Sequence, residues 1–353
     1  MTAYQFEIAY IIGLAALLLW QYPSKINKRV YCVLITVQWI ILSGFRHLSV
    51  GNDTINYRNS FERVFYTNWK ILFKNFFKVF LKGEEGKDPG YNLFVKFVQI
   101  FIQDNYQIYL VLIAMIFFIP LGIWIYKYSK EPCISALIMS TLFWGFFGIT
   151  GIRQTIATAF VVLIGYKFIK ERKMWPFLFL ILISGTIHKS AFFFFPFYFI
   201  AYKPLSRKYI IAVIVLIPLV FVFRNQIFNF ISTIIGYEAY TKSDHSNSWI
   251  FAPTFIAIFF VALWRMKPIL KKNPDAIVYY NALIVAVVFI PLLFVNSSPM
   301  RIIQYYSLFI MLLIPEILFS FDGQERVICY SAASGVLLTL FFKDIRSYLF
   351  FWQ

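Results

Sequence analysis

Apolar runs of about 20 residues recur from one end of this chain to the other, and a helix of that length crosses the hydrocarbon core of a bilayer. In lipid, every backbone N–H and C=O group needs a partner within the protein, so only helices and closed barrels span a membrane. The runs here are continuously apolar, whereas barrel strands alternate in polarity. The chain is therefore predicted to be an all-α polytopic integral membrane protein.

The predicted spans number about 12, and the whole chain, 1–353, is expected to form a single polytopic membrane domain. They lie at 4–22, 30–45, 106–126, 132–149, 152–170, 174–187, 189–202, 209–223, 249–266, 276–295, 301–320 and 326–342. A further helix is predicted at 90–104, either interfacial or partly inserted. If 175–202 were one helix, His188 would lie mid-membrane and the charge bias of the next connections would reverse, so a break at His188 is predicted.

Lysine and arginine indicate the orientation, because short connections on alternate sides differ in their basic content. The positive-inside rule makes the lysine- and arginine-rich connections cytoplasmic. Two long loops, 46–105 and 224–248, then lie on the outer side.

The first long loop contains a regular pattern of lysines among phenylalanines. The lysines recur every four residues, at Lys70, Lys74, Lys78 and Lys82. This spacing predicts an amphipathic helix that lies on the membrane surface. An interfacial anchor is favoured over a substrate-binding element for this helix.

Charge and composition exclude several other classes. The chain is 60% hydrophobic and has a formal net charge of +17. A large positive charge is typical of nucleic-acid-binding proteins, but here the lysines are dispersed at span ends, which favours anionic lipid head groups over nucleic acid. The sequence contains no phosphate-binding glycine loop, no metal-spaced His/Cys cluster and no nucleophile elbow, so neither a cofactor nor a metal is expected.

Charged residues at the outer ends of spans are the candidate functional residues, because charge at a bilayer boundary is costly and usually functional. Arg46 follows the second span, and its planar guanidinium could donate two parallel hydrogen bonds to a diphosphate. Asp53 follows the turn Gly51-Asn52, where it is either a helix N-cap or an acceptor for the proton of a sugar hydroxyl.

Two further arginines begin predicted helices on the outer side. Arg153, followed by Gln154, comes just after a glycine-broken apolar run, and Arg301 follows Pro299. Helix N-termini attract anions through their free N–H groups and the helix dipole. Each arginine is therefore either an anion-binding residue or one that snorkels to lipid head groups.

His188 lies at the predicted break between two short spans. A lone histidine is more often structural than catalytic. At such a break, however, a neutral imidazole can serve as a base or a hydrogen-bond donor near neutral pH.

The segments 46–57, 151–157, 188–191 and 301–305, taken in order, closely resemble the EpsG family, which belongs with the Wzy-type polymerases of O-antigen and exopolysaccharide. The resemblance covers most of the chain, roughly 4–320. It implies a multi-pass enzyme of the bacterial inner (cytoplasmic) membrane, active on the outer face, that joins lipid-linked oligosaccharide repeat units.

Under this resemblance, an acceptor sugar hydroxyl attacks the anomeric carbon of a glycan carried on polyprenyl diphosphate, and arginines stabilise the diphosphate that leaves, without the need for a metal ion. The diphosphate-binding residues are expected to be Arg46, Arg153 and Arg301, the base His188 or Asp53, and the sugar contacts Tyr57, Gln154 and Tyr305. The family pattern does not decide between the two bases. Expected partners are polyprenyl-diphosphate-linked oligosaccharide, membrane lipids and a chain-length regulator protein.

Other functions stay open beside this one. An O-antigen ligase-like glycosyltransferase would use the same donor but transfer the glycan to a lipid A-core acceptor. A lipid-linked oligosaccharide flippase would be expected to show repeated halves, and no repeat is evident. A membrane O-acyltransferase would need an acyl donor and a histidine deep in the membrane. The polymerase ranks first, the ligase second and the flippase third.

Overall fold

The computed structural model describes residues 2–84, 86–235, 248–343 and 348–353. These residues are almost entirely helical, and they form no strand beyond one isolated bridge between Arg46 and Phe350. The predicted all-α polytopic class is confirmed.

The helices are numbered in chain order. Those of the first half are α1 (Ala3–Gln21), α2 (Lys25–Gly44), α3 (Thr54–Tyr66), α4 (Trp69–Leu81), α5 (Pro89–Ile102), α6 (Tyr106–Tyr128), α7 (Pro132–Ile149) and α8 (Ile152–Lys170). Those that follow are α9 (Met174–Ile187), α10 (Lys189–Ile200), α11 (Arg207–Val222), α12 (Arg224–Thr233), α13 (Phe251–Lys272), α14 (Pro274–Phe294), α15 (Met300–Ser307), α16 (Ile310–Phe319) and α17 (Gly323–Phe342).

In the described part of the chain, 8 helices are long and apolar enough to cross a membrane, and the number rises to 10 if two bent pairs each count as one span. The pairs are α11 with α12, bent by 81°, and α15 with α16, bent by 42°. The predicted number of about 12 is not confirmed, because it also counts α9 and α10. The 14 residues of α9 extend only about 21 Å, short of a bilayer core of about 30 Å.

The predicted break at His188 is confirmed. α9 ends at Ile187, His188 is extended with φ −153° and ψ 108°, and α10 begins as a 3₁₀ turn. The chain turns back after α9, so that Phe177 near the start of α9 packs on Tyr198 near the end of α10, with His188 at the turning point.

The centre of the bundle is formed by α7, α8 and α14. In the apolar window of α7, 78% of the residues are buried, whereas in that of α17 only 11% are. Because α7 and α8 are joined by a short turn, the connection 150–151 lies at the end of the most enclosed part of the bundle.

The long loop 46–105 is a folded layer of three helices, α3 to α5, with its own apolar core against α6. The ring centroid of Phe61 on α3 lies 4.9 Å from that of Tyr109 on α6. Gln99 on α5 donates to the carbonyl of Phe61 at 2.7 Å, and Lys96 donates to the carbonyl of Phe65 at 2.5 Å. Phe65 lies in the last turn of α3, where carbonyls lack partners within the helix, and the two bonds together hold α3 and α5 as one unit.

Two loop predictions have different outcomes. The amphipathic helix is present as α4, with Phe73 and Phe77 exposed beside its lysines, while its attachment to a membrane surface stays a prediction. The first part of the second long loop, 224–248, is helical: it forms α12, which begins directly after the sharp bend at Phe223. Residues 236–247 of this loop lie outside the described part of the chain.

A glycine allows α5 to approach α9. A Cβ atom added to Gly90 would lie 2.2 Å from Oγ1 of Thr186 and 2.8 Å from the Thr186 carbonyl carbon. Any side chain at this position would therefore push the start of α5 away from the end of α9.

We expect Gly90→Ala to lower the free energy of unfolding by about 1–3 kcal/mol, because overpacking forces the backbone to shift. Thermal unfolding of the purified protein in detergent, followed by tryptophan fluorescence, measures the change. The matched control is Gly335→Ala on α17, where an added Cβ meets nothing within 4 Å and helix propensity favours alanine. Equal unfolding midpoints for the two variants would contradict the close approach.

Candidate active site

A cavity of about 600 Å³ lies where the layer α3–α5 meets the ends of α7, α8, α9 and α15. This is the volume range of ordinary ligand pockets. Six of the eight predicted site residues line it: Asp53, Tyr57, Arg153, Gln154, His188 and Arg301. Residues separated by more than a hundred positions in the sequence are thus brought together at one end of the bundle.

The carboxylate of Asp88 connects three of the elements around this cavity. Its Oδ2 accepts hydrogen bonds from Nη1 of Arg153 at 2.9 Å and from Nδ1 of His188 at 3.1 Å. Its Oδ1 accepts from the backbone N–H of Lys189 at 3.1 Å. Asp88 is 2% exposed and directly precedes α5, so it fastens the outer layer to α8 and to the α9–α10 junction.

The surroundings set the charges of Asp88 and His188. Burial by itself raises the pKa of Asp88, but the interactions with His188, Arg153 and the Lys189 N–H outweigh burial and hold that pKa below its usual value. Burial lowers the pKa of His188; Asp88 raises it, Arg301 and Arg153 lower it, and the net direction is downward. At neutral pH the carboxylate is therefore ionised and the imidazole neutral.

The tautomer of His188 follows from these charges. An ionised carboxylate only accepts hydrogen bonds, so Nδ1 of His188 is the donor to Asp88. In a neutral ring Nε2 is then the acceptor. Nε2 is buried and has no hydrogen-bond partner among the described residues. The arrangement therefore provides an oriented imidazole with an available lone pair.

Arg153 is positioned by a left-handed turn. Gly151 has φ +63° between α7 and α8, a conformation that glycine adopts without strain, and Arg153 then lies in the first turn of α8. Its guanidinium carbon is 5.8 Å from the ring centroids of both Tyr57 and Tyr91. A carboxylate and two aromatic faces thus hold one cation at the cavity wall.

Gln154 fixes the position of the second arginine. Its Nε2 donates to the backbone carbonyl of Arg301 at 2.5 Å, which ties the start of α15 to the start of α8. Because both arginines lie in the first turn of their helices, positive charge and helix N-termini are combined on one side of the cavity.

Asp53 is at the N-cap position of α3, but its side chain makes no capping hydrogen bond. The capping role is therefore not what this carboxylate does here. It is exposed and lines the cavity. Unlike His188, Asp53 forms no ion pair with another residue of the described ranges.

Two of the predicted residues, Arg46 and Tyr305, lie outside the lining of this cavity. Arg46 is 3% exposed, and its Nη1 donates to the carbonyls of Ser43 and of Gly148, the latter at 3.4 Å. It therefore joins the ends of α2 and α7. Tyr305 is fully buried, with its hydroxyl 3.1 Å from Oγ of Ser190, and it packs α15 against α10.

Several lining residues were not predicted. They are Asn56, Ser60, Arg63, Lys87, Asp88, Tyr91, Asn92, Phe146 and Gly151. The spacing of three or four residues from Asp53 through Asn56 and Ser60 to Arg63 is that of one helical face, so the sequence did contain a signal for α3. For Asp88 the signal was weaker: an acidic residue directly before Pro89, as at many helix starts.

The comparison with known families agrees with this arrangement of the chain. A model described as the EpsG family matches residues 28–351. This match defines the class of the chain: it is a polysaccharide polymerase-like membrane protein that crosses the membrane several times. It belongs to the EpsG family, as the resemblance predicted. Searches of curated proteins and of solved structures give no match.

We expect Asp88→Ala to lower the free energy of unfolding by about 3 kcal/mol, because it leaves Arg153 and a buried N–H without their shared acceptor. Asp53→Ala is the control and is expected to cost about 0.5 kcal/mol or less, as for an exposed side chain without a cap bond. Thermal unfolding in detergent measures both changes. A loss at Asp53 as large as that at Asp88 would disprove the assigned difference.

Proposed function

We propose that this protein joins polyprenyl-diphosphate-linked oligosaccharide repeat units into a polysaccharide on the outer face of the bacterial inner membrane. The single observation that supports this best is the oriented His188, held by Asp88, in one cavity with Arg153 and Arg301. A base and an anion-binding wall are what the transfer of a sugar from a diphosphate requires. The family supports the substrate class.

In the proposed reaction, a hydroxyl of the acceptor sugar attacks the anomeric carbon of the donor glycan. A new glycosidic C–O bond forms, and the C–O bond to the diphosphate breaks. The hydroxyl proton goes to Nε2 of His188, and polyprenyl diphosphate leaves as an anion. Asp88 keeps Nδ1 protonated and stabilises the imidazolium that forms.

Arg153 and Arg301 are proposed to bind the diphosphate. Negative charge on the bridging oxygen grows as the bond to the sugar breaks, and fixed cations in a partly buried site stabilise that charge without reorganising. Their places at the starts of α8 and α15 add the N-terminal dipoles. Arg46 donates hydrogen bonds to carbonyls at the ends of α2 and α7, and we propose that it supports the cavity by holding these two helix ends together.

His188 is favoured over Asp53 as the base. Its Nε2 is buried, oriented and without a partner in the described residues, whereas Asp53 is exposed. We assign Asp53 and the ring of Tyr57 to the sugars, since both line the cavity. Gln154 lines it too, while Tyr305 lies behind the wall and acts through α15.

The first functional test is a glycan ladder from a strain that lacks its own copy of the protein. Arg153→Ala is expected to reduce elongation by about 10²–10³-fold, leaving mostly single repeat units, because a fixed cation at the leaving group is lost. The control is Arg58→Ala, an exposed residue of α3 that pairs with Glu62 at 2.8 Å and is not among the cavity residues. Immunoblotting of membranes confirms equal protein levels.

The outcomes of this ladder separate the alternatives. An unchanged ladder in Arg153→Ala would remove that arginine from the site. If no single repeat unit reaches the cell surface without the protein, a flippase is indicated. If purified protein given only lipid-linked repeat units makes no polymer, but transfers glycan once a lipid A-core acceptor is added, the ligase is indicated.

The pH dependence of elongation by purified protein tests the base. Because His188 must be neutral and its pKa is lowered in the protein without donor, we expect kcat/KM, which reports that form, to be constant at neutral pH and to decline in acid with a midpoint below about 6.5, the ordinary value for histidine. Asp53→Asn should leave this decline in place. A midpoint above 7, or the same decline in His188→Gln, would assign the base to another group.

A further inference from the structure

A second cavity, of about 380 Å³, lies at the end of the bundle opposite the candidate active site. It is bounded by the end of α1, the start of α7, the end of α16 and the start of α17. α7 links the two sites, since it begins at Pro132 beside this cavity and ends at Ile149 near the other. The positive-inside rule assigns this end to the cytoplasmic leaflet.

An acidic residue faces this cavity from the α6–α7 connection. Glu131 is 9% exposed, and its Oε1 has no hydrogen-bond partner among the described residues. Burial raises the pKa of its carboxyl above the usual value, although Trp20, the Cys133 N–H, the charge of Lys28 and Tyr330 offset part of this. A carboxylate in this position is poorly solvated, so a bound cation would stabilise it.

A basic residue faces the same cavity from the first turn of α17. Arg326 donates to Asp322 at 3.1 Å and to the carbonyl of Phe321 at 2.9 Å. Asp322 is 82% exposed, and ion pairs with such exposed partners contribute little. The guanidinium can therefore also serve an incoming phosphate, for which its planar fork is well suited.

The rest of the lining is apolar and opens to the periphery of the bundle. Trp20 is 47% exposed and Val327 65% exposed, and Phe319 also lines the cavity. Tryptophan near the end of a span is typical of the membrane–water interface. A ligand of this cavity would thus meet both charges and hydrocarbon.

We propose that this cavity binds an aminophospholipid of the inner leaflet, with its ammonium on Glu131, its phosphate on Arg326 and its acyl chains against Trp20 and Val327. The charge pattern favours a zwitterionic head group over an anionic one, because one cavity presents both signs. An ammonium with N–H donors satisfies the unpartnered Oε1, which a quaternary ammonium cannot do. This proposal does not depend on the function of the other cavity.

The test is the binding of short-chain phosphatidylethanolamine and of its mono-, di- and trimethylated forms to the purified full-length protein, measured by thermal unfolding and native mass spectrometry. Affinity is expected to fall by about tenfold or more between phosphatidylethanolamine and phosphatidylcholine, as for the loss of a charged hydrogen bond. Equal affinities across this series would overturn the proposal, as would tighter binding of phosphatidylglycerol.

Variants identify the residues responsible. Glu131→Gln is expected to abolish the preference for the unmethylated head group, and Arg326→Ala to weaken all four lipids by a similar factor, because they share the phosphate. Glu325→Gln is the matched control, an exposed acid beside Arg326 that should keep the preference. A preference that survives in Glu131→Gln would contradict the assigned site. The methylation series in the wild-type protein decides the matter if that variant fails to fold.

Discussion

The geometry of the candidate active-site cavity depends on the hydrogen bonds and charge pairing of the Asp88 carboxylate. The carboxylate is the anionic acceptor shared by the cation of Arg153 and the ring of His188, and without it both groups would lose an orienting contact in a partly buried site. The same carboxylate also accepts the N–H of Lys189, which begins α10. One group thereby sets the position of Arg153, the tautomer of His188 and the turn at which the chain reverses.

Asp88 reaches that position only because apolar packing brings it there. The layer α3–α5 is a folded unit whose core, around Phe61 and Tyr109, lies against α6. At its edge Gly90 permits backbone contact with Thr186, two residues before His188. The position of the Asp88 hydrogen bonds therefore depends on these close packing contacts. Substitutions of core residues of the layer α3–α5 that do not line the cavity should therefore still change the geometry of the cavity.

The sequence predicted those features that depend on local composition. Continuous apolar runs defined the class of fold, and the position of His188 within such a run required a break. The number of spans was not predictable in the same way, because α15 and α16 form a single apolar run in sequence and are bent in the structure. A bend of this kind depends on how neighbouring helices pack, and the apolar pattern does not contain that information.

For charged residues, too, the sequence predicted that a group is present but not what its side chain contacts. A charge at a span end indicates a costly group, but not the direction in which its side chain points. Arg153 points into the cavity, while Arg46 turns towards the carbonyls of Ser43 and Gly148. Asp88 was not predicted, because acidic residues are common in loops and only its position before Pro89 marks this one. Its partners Arg153 and His188 lie 65 and 100 positions away in the sequence.

The electrostatic arrangement links donor binding to the strength of the base. Besides burial, the charges of Arg301 and Arg153 lower the pKa of His188. A diphosphate bound to these arginines would neutralise that influence and add negative charge nearby, so the proton affinity of the imidazole would rise. In the proposed reaction the base then becomes effective when the donor is in place. As the leaving group gains charge, the imidazolium formed beside it is stabilised further, so proton transfer and bond cleavage assist each other.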